Sequence, residues 1–539
     1  MLNPKSNLRQ VFRTPVLATS LALTAVSATG AFAPLAYAQN TNATIRGQVL
    51  DPSGALIPNA SITITNTATS VKVYDGTSDS GGSFVAPQVI PGTYVLTVSA
   101  PGLKTTTINN VIATVSQVTA LNVTMQLGES AETVTVEAKS EQLDKSTSNV
   151  STLISPSDVQ NLPLNQRNVE NLLAFVPGVA TGGNPTTVNT AQLSINGSRT
   201  LNSEVLLNGV STIVASTGQP ALLPSPDGID ELRFLTSNAP AEYGRTSGAV
   251  LSANTRSGTN AFHGSVYSLV RNEALNANSY FNKLILVNGA PQPRGRNRFF
   301  QFGGALGGPV WIPHVFDGHD KVFFFVNYDR QIQRSTSTTT ITVPDAAQRM
   351  GDFSASPQKV YQPGTSTAPG TNTPQYAGNK ITSGIDPAAA KIMSLLPLPN
   401  TPGTFDAANG RYTNNYTQQN TTSPDQTRLV ARVDAVVTQS DRMSFNLYRL
   451  ISKSPNAVVY NVPLLNTNFD CSCSDAWIGS IGYTRTWSST LVSDFNMGFF
   501  RNNVRRNPPG AGLGASAALG IASLPLDQTP QITYTGYNN

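Results

Sequence analysis

The chain has 539 residues, enough for several domains, and only 12 % of them are charged, about half the share in soluble globular proteins. Hydrophobic residues make up 39 %, which argues against a disordered chain, because disordered segments lack apolar residues and carry excess charge. The net charge of +5 does not indicate nucleic-acid binding, because the Lys and Arg residues are scattered. Their densest run, 294–298, is predicted to lie in a loop or at a strand entrance.

Residues 1–38 have the pattern of a secretory signal peptide. Lys and Arg residues give a positively charged start, residues 16–33 are small and apolar, and a small-x-small sequence ends at Ala38. Signal peptidases cleave after such a sequence, so we expect export with cleavage after Ala38. The alternative, a membrane anchor, is disfavoured because Ser and Thr residues dilute the apolar segment.

Residues 41–127 consist of short strands separated by turn signals. The stretch 60–65 alternates apolar and hydroxyl residues, as a half-buried strand does. Pro-Gly turns flank another alternating stretch at 94–98. Turns at intervals of about ten residues favour an antiparallel β-sandwich.

The same segment carries a characteristic set of residues in order: Gly47, Val49, Asp51, Gly54, Pro58, Ala60, Asp79, Gly82, Phe84, Pro91, Gly92 and Tyr94. In these residues it resembles the carboxypeptidase regulatory-like domain, a transthyretin-like sandwich of the carbohydrate-binding-like fold. The resemblance implies a structural or docking module, and sugar binding rests on fold analogy alone. We expect no peptidase activity, because the segment has no histidine and the chain has no His-Glu metal motif.

Residues 129–145 form a polar linker around a short β-prone segment, Thr133-Val-Thr-Val136, with charged residues on both sides. Two interpretations are open. The segment is the edge strand of the preceding sandwich, or it is a strand without a partner in its own chain. In the second case it pairs with another protein by strand addition, which makes little demand on side chains.

Residues 146–259 have mixed α+β character. A short helix is predicted within 168–178, where Pro-Gly ends it. A strand at 204–210 turns at Asn208-Gly209, a dipeptide that tolerates positive φ. Further polar motifs lie around Asn196-Gly197, in Glu242-Tyr-Gly-Arg245 and at 248–260.

The order of these segments resembles the Oar-like group of TonB-dependent receptors, which also has the regulatory-like domain in front. The resemblance implies that 146–259 is a plug domain, with the motif residues Asn196, Gly197, Arg199, Asn208, Gly209, Glu242, Tyr243, Gly244 and Arg245. It also implies that the linker holds a TonB box, formed by Glu132, Thr133, Val134, Thr135, Val136, Glu137 and Ala138. Two departures from the wider family, Asn208 in place of Asp and no Arg-Gly-Pro near Pro240, bear on ligand contacts more than on the fold.

The charged pair Glu242 and Arg245 has two interpretations. In a plug, the pair reaches the barrel wall and helps to hold the plug in place. Alternatively, it is a solvated loop pair that contributes little.

Residues 260–539 are predicted to form the first strands of a transmembrane antiparallel β-barrel. Leu429, Ala431, Val433, Ala435 and Val437 fall on one face of a strand, and Arg428, Arg432, Asp434 and Thr438 fall on the other. This alternation is typical of outer-membrane barrel strands. A soluble sandwich is disfavoured by long, charge-poor connections such as 354–379. Seven strands are predicted, at 262–271, 298–306, 321–330, 428–438, 442–451, 476–487 and 490–500.

Seven strands are fewer than the about 22 of a plugged transporter barrel, and the last residues lack a terminal aromatic strand. The sequence is therefore expected to be a fragment of a longer product. Cys471 and Cys473 have the wrong spacing for a zinc site, which leaves a loop disulfide or two unpaired loop thiols.

Taken together, these features predict a mostly β protein of a Gram-negative-type outer membrane that is not an enzyme and uses no cofactor or metal. It would move a bulky solute, with carbohydrate among the candidates. Its expected partners are a TonB-type energy-transducing protein and outer-membrane lipid, and not nucleic acid. The alternative is a cell-surface adhesion or carbohydrate-binding protein.

Overall fold

The computed structural model describes residues 42–128, 133–137, 149–180 apart from 163, 165 and 166, 194–199, and 202–278 apart from 216, 222 and 245. It further describes 280–362 apart from 285, 288 and 289, then 374–455 apart from 409, then 462, 464, 471–488, 491–506 and 513–521. The predicted signal peptide and its cleavage site at Ala38 lie outside these residues.

The first unit is a β-sandwich. Its strands are β1 (Ala43–Leu50), β2 (Ser61–Asn66), β3 (Lys72–Thr77), β4 (Ser83–Val89), β5 (Gly92–Ser99), β6 (Thr105–Ala113), β7 (Val118–Thr124) and β8 (Thr133–Glu137). One described sheet has the order β4-β1-β7, and the other has the order β3-β2-β5-β6-β8. Ile62 and Ile64 of β2 face the core between the sheets, together with Tyr94 and Leu96 of β5.

The sandwich is not fully antiparallel, which corrects the prediction. β7 pairs in parallel with β1, and β8 pairs in parallel with β6. Parallel neighbours need a crossover connection instead of a hairpin turn. Both pairs meet this condition, because the chain passes through other strands between β1 and β7 and between β6 and β8.

The second unit has the predicted α+β character. Its described strands are β9 (Val150–Ile154), β10 (Val179–Ala180), β11 (Ser194–Ile195), β12 (Glu204–Leu207), β13 (Val210–Ser211), β14 (Ile229–Ser237) and β15 (Val250–Thr255). The central sheet has the order β13-β12-β15-β14-β9. Helix α1 (Pro156–Asn161) starts with a capping box formed by Ser155 and Asp158. The helix predicted within 168–178 is a 3-10 helix at Val169–Phe175.

The third unit is a large antiparallel sheet whose long strands include all seven predicted strands. These strands are β16 (His263–Arg271), β19 (Asn297–Pro309), β22 (Val322–Ile341), β26 (Asp425–Val436), β27 (Asp441–Pro455), β28 (Cys471–Ser488) and β29 (Leu491–Arg505). They are neighbours in that order, and β25 (Tyr416–Thr422) also pairs with β22. In the part of the chain that the structure describes, the sheet is not closed.

Strand β25 was not predicted, because Tyr416–Thr422 is polar on both faces. It pairs with the Ser- and Thr-rich second half of β22, while β26 pairs with the first half. One face of the strand is buried, but its buried residues, Gln418 and Asn420, are polar, so its sequence shows no alternation of apolar and polar residues.

Connections at the two ends of the large sheet differ in length. Four residues join β26 to β27 and two join β28 to β29, whereas 272–296 separate β16 from β19 and 342–415 separate β22 from β25. Short periplasmic turns and long extracellular loops are typical of outer-membrane barrels. The remaining described strands are β17 (Leu286–Val287), β18 (Ala290–Pro291), β20 (Trp311–Ile312), β21 (Phe316–Asp317), β23 (Thr404–Asp406) and β24 (Arg411–Thr413). The remaining described α-helices are α2 (Tyr280–Leu284), α3 (Ala346–Arg349), α4 (Pro387–Leu395) and α5 (Ala515–Leu519).

The predicted faces of β26 are confirmed for residues 428–435, whereas Val437 and Thr438 lie beyond the end of the strand and are both exposed. Arg428, Arg432 and Asp434 are buried, while Val433 on the opposite face is exposed. Other apolar side chains also project outward from the sheet, including Val326, Phe445, Ile481 and Met497. Among the described residues, no helix is long and apolar enough to cross a membrane.

Candidate functional site

The candidate site is the contact between the plug unit (149–259) and the inner face of the large sheet. One hydrophobic core runs through both: it contains Leu232 and Phe234 of β14 together with Phe325, Val430 and Tyr448 of the sheet. The plug sheet therefore packs directly against the barrel wall.

A buried ion pair on β26 holds the end of β15. Arg432 and Asp434 form a bidentate pair, with Nε and Nη2 of Arg432 at 2.8 and 3.0 Å from the carboxylate oxygens. Arg432 Nη1 donates to the carbonyl oxygen of Thr255 at 2.7 Å, and the hydroxyl of Ser257 donates to Asp434 at 2.6 Å. The two charged side chains are 8 % and 9 % exposed. Both partners of the pair thus also bind the plug chain.

A second polar cluster lies within the wall itself. Asp329 of β22 accepts hydrogen bonds from Arg428 at 3.0 Å and from Gln301 at 2.7 Å, and a short one from Tyr267. Asp329, Gln301 and Arg428 are all buried. A buried carboxylate is stable only when it is paired and hydrogen-bonded, and these three donors meet that need.

The plug reaches this cluster through Arg167. Its guanidinium pairs with Asp227 of the plug and lies over the ring of Tyr267, 4.4 Å from the ring centroid. Nearby, the hydroxyl of Ser225 lies 2.9 Å from Oδ1 of Asn327 in β22. Plug and wall are therefore joined by polar contacts at two separate places.

The plug-motif residues take different positions. Asn208 and Gly209 form the predicted turn with φ values of 48° and 80°. Oδ1 of Asn208 accepts from the amide and the hydroxyl of Thr255, at 3.0 and 3.1 Å. Asn208 therefore positions the residue that Arg432 binds.

Asn196, Gly197 and Tyr243 come together at a polar cleft of about 550 Å³. Asn196 Nδ2 donates to the carbonyl oxygen of Thr236 and to the hydroxyl of Ser237, both at 3.1 Å. Tyr243 is buried, and this burial raises the pKa of its hydroxyl. The cleft thus joins motif segments that lie far apart in the sequence.

Arg199, Glu242 and Gly244 are exposed. Arg245 lies outside the described residues, so the two interpretations of the Glu242–Arg245 pair stay open. Among the observed plug–wall contacts, Thr255 and Ser257 come from the polar motif at 248–260, whereas Arg167 and Ser225 were not singled out. The wall side of this contact could have been predicted from the sequence. Arg432 and Asp434 are charged residues on the inward face of a membrane strand, and such residues are usually paired.

Within the predicted TonB box, residues 133–137 form the outermost strand of a sandwich sheet. Thr133 pairs with Thr105, and the parallel register continues to Glu137 opposite Asn109. The segment therefore has a partner in its own chain, as the first interpretation held. Val136 is nevertheless 46 % exposed. Glu132 and Ala138 lie outside the described residues, and the assignment as a TonB box stays a prediction.

Cys471 and Cys473 form a disulfide. Both residues lie at the N-terminal end of β28, which begins five residues before its predicted start. They therefore lie in a strand, and the predicted loop position is wrong. No cluster of metal-ligating side chains occurs among the described residues.

Comparisons with known proteins agree with this geometry. Residues 254–539 match the outer membrane beta barrel domain, 44–126 the carboxypeptidase regulatory-like domain, and 142–250 the TonB-dependent receptor plug domain. The chain is 24 % identical over 318 residues to the TonB-dependent transporter Oar of Myxococcus xanthus. That match covers 57 % of this chain and 28 % of the relative, so the chain spans about a quarter of the curated relative's length.

Solved structures of outer-membrane proteins show limited similarity. The ferric enterobactin receptor PfeA of Pseudomonas aeruginosa is 11 % identical with a TM-score of 0.36, over 66 % of this chain and 41 % of that one. The outer membrane transporter YddB of Escherichia coli is 11 % identical with a TM-score of 0.35, over 62 % of this chain and 36 % of that one.

Proposed function

The chain belongs to the outer membrane beta barrel domain family and has the domains of a TonB-dependent receptor, and on this premise we propose that it carries a bulky solute across the Gram-negative outer membrane. Energy for this step comes from the inner membrane through a TonB-type protein. Members of this family are transporters and not enzymes, and the site is accordingly a gate: the plug occupies the inner face of the barrel and must shift before a solute passes.

The observation that carries the proposal is the way the plug is held. Its contact with the wall combines a shared apolar core with the Arg432–Asp434 pair on Thr255 and Ser257. Buried charged contacts are costly to break singly, so thermal motion seldom opens such a gate. An external source of work is therefore required, which supports coupling to an energy-transducing partner.

Strand β8 is the proposed point where this work enters. It is the outermost strand of its sheet, and among the described residues it pairs only with β6. An edge strand offers unpaired main-chain groups to another chain, which is how a TonB-type protein would bind it. Twelve residues, 138–149, connect β8 to β9, which is an edge strand of the plug sheet. A force applied to β8 is thus transmitted to β9, which can separate from the plug sheet while the central strands stay paired.

Deletion of Glu132–Ala138 tests this route. We expect the deletion to abolish solute uptake by cells while leaving solute binding at the cell surface intact. Val134→Pro should act like the deletion, because proline lacks the N–H that strand pairing needs. Val134→Thr is the matched control and should keep uptake, since it changes only the side chain. Unchanged uptake in the deletion would rule out the coupling role.

Insertion in lipid is a second part of the proposal, supported by the outward apolar side chains of the large sheet. Cell fractionation and heat-modifiable gel mobility test it. A folded, heat-modifiable species in the outer-membrane fraction is expected, with the signal peptide removed after Ala38. A detergent-free soluble species would instead favour cell-surface adhesion, which neither the described residues nor the comparisons favour.

A further inference from the structure

The two faces of plug strand β14 have different environments. Leu232 and Phe234 belong to the core shared with the barrel wall. Glu231 and Arg233 point to the opposite side, toward the sandwich, and they are only 4 % and 3 % exposed. The plug–wall contact uses neither of these buried titratable residues.

Both of them bind the main chain of a single sandwich residue, Val115, in the turn between β6 and β7. The amide of Val115 donates to Oε1 of Glu231 in a short hydrogen bond, and Nη1 of Arg233 donates to the carbonyl oxygen of Val115 at 3.0 Å. Val115 is fully buried. Because buried main-chain groups must be paired, these two side chains replace the partner strand that the turn lacks.

Arg233 has a second role in the same place. Its Nη2 donates to the hydroxyl of Ser151 on β9 at 3.0 Å. Strand β9 pairs with β14 along residues 150–154 and is the first plug strand after the linker. The guanidinium of Arg233, a residue of β14, therefore binds both the sandwich and β9.

Other sandwich contacts also use main-chain atoms. Asn260, before the first barrel strand, donates to the carbonyl oxygens of Ala68 at 3.1 Å and Thr69 at 2.7 Å. Arg442, near a short turn of the barrel, donates to the carbonyl oxygen of Lys72 at 3.2 Å. The sandwich thus sits at the end of the barrel that has the short turns, with the Val115 turn against the plug.

We propose that Glu231 and Arg233 form an intramolecular docking site for the Val115 turn, and that this site couples the docking of the sandwich to the seating of β9. Displacement of β9 removes Ser151 from Arg233 and frees the guanidinium to leave Val115. In reverse, a docked Val115 turn holds Arg233 in the orientation that binds β9. The proposal rests on the proposed function only in making β9 the strand that receives the pull.

Amide hydrogen exchange of the full chain in detergent, read by mass spectrometry, tests both halves. Glu231→Ala removes the acceptor of the Val115 amide, so exchange of that amide should accelerate by about tenfold, the effect expected when a buried donor is left without a partner. Coupling between two sites is reciprocal. The amides of β9 should therefore also exchange faster in Glu231→Ala, although this residue does not touch β9 in any described hydrogen bond.

The reverse experiment uses Ile154→Ala, which loosens β9 from the core without changing Glu231 or Arg233. Exchange at Val115 should rise in this variant as well. Glu273→Ala, which removes a carboxylate paired with Arg298 at the other end of the barrel, is the matched control and should leave both regions unchanged. Exchange in Tyr94–Val98 reports whether the sandwich itself remains folded.

Unchanged exchange at Val115 in Glu231→Ala overturns the docking site. The coupling is overturned if Glu231→Ala speeds exchange at Val115 but not in β9, and if Ile154→Ala leaves exchange at Val115 unchanged. In that case the site only anchors the sandwich. The measurement needs neither solute nor TonB-type protein. Its failure is therefore distinguishable from a failure of the transport function, which the uptake experiment measures.

Discussion

Removing the carboxylate of Asp434, on the inner face of β26, should loosen the plug. Asp434→Ala leaves the guanidinium of Arg432 buried without its counter-ion, which costs about 3–5 kcal/mol in buried pairs. The hydroxyl of Ser257 also loses its acceptor, for about another 1 kcal/mol. The free energy that holds residues 255–257 against the wall should therefore fall by about 4–6 kcal/mol.

The double variant Arg432→Leu with Asp434→Leu separates charge burial from contact loss. No uncompensated charge remains, and the main cost is the carbonyl oxygen of Thr255, which loses its donor for about 1–3 kcal/mol. The double variant should thus be less destabilised than Asp434→Ala alone. Such non-additivity is the mark of two residues that act as a pair.

Amide exchange of residues 250–259 in urea measures the opening free energy of this segment. Asp425→Ala is the control: Asp425 also lies on β26 and pairs with Arg330, but this pair is 26 % to 40 % exposed and should contribute less than about 1 kcal/mol. A change below about 1 kcal/mol in Asp434→Ala, or a double variant that is worse than the single one, would refute the reasoning.

Further predictions concern the turn, the buried carboxyl group and the lipid face. Asn208→Gly keeps the positive φ but loses both hydrogen bonds to Thr255, so it should destabilise the plug by about 1–3 kcal/mol. Asn208→Ala should destabilise it by more, because alanine also strains the turn. Denaturant titration measures both changes in the free energy of unfolding. Burial, with a contribution from Asp230, raises the pKa of Glu231 to about 8. The folded state therefore holds this proton more tightly than the unfolded state, and stability that is complete below pH 4.5 should be lost as the pH rises through about 8. Melting curves recorded between about pH 4 and pH 9, a range that includes the pKa values of both states, should show this loss of stability. Glu231→Gln should abolish the pH dependence. Ala431→Arg, in the middle of β26, should cost about 2–4 kcal/mol in bilayer folding assays, and Val437→Arg, at the short turn, about 0–1 kcal/mol.

Local periodicity was enough to predict the long strands. In β26 the alternation of Leu429, Ala431 and Val433 with Arg428 and Arg432 is a property of neighbouring residues, because successive side chains of a strand point to opposite faces. The Asn208-Gly209 turn was predictable for a similar reason, since its positive φ values depend on the two residues themselves. The sandwich and the plug could be predicted from the order of their characteristic residues, because that order can be read directly from the sequence.

Contacts between distant segments were decided only by the tertiary structure. The sequence shows that Arg432 faces inward, but not that it meets Thr255, because that contact joins residues far apart in the chain and depends on how the plug is seated. Strand β8 was equally compatible with an edge position and with an isolated strand, since main-chain pairing leaves almost no mark on side chains. The contacts of Glu231 and Arg233 could not be predicted for the same reason: both side chains bind the main chain of Val115, whose N–H and C=O groups are common to nearly every residue.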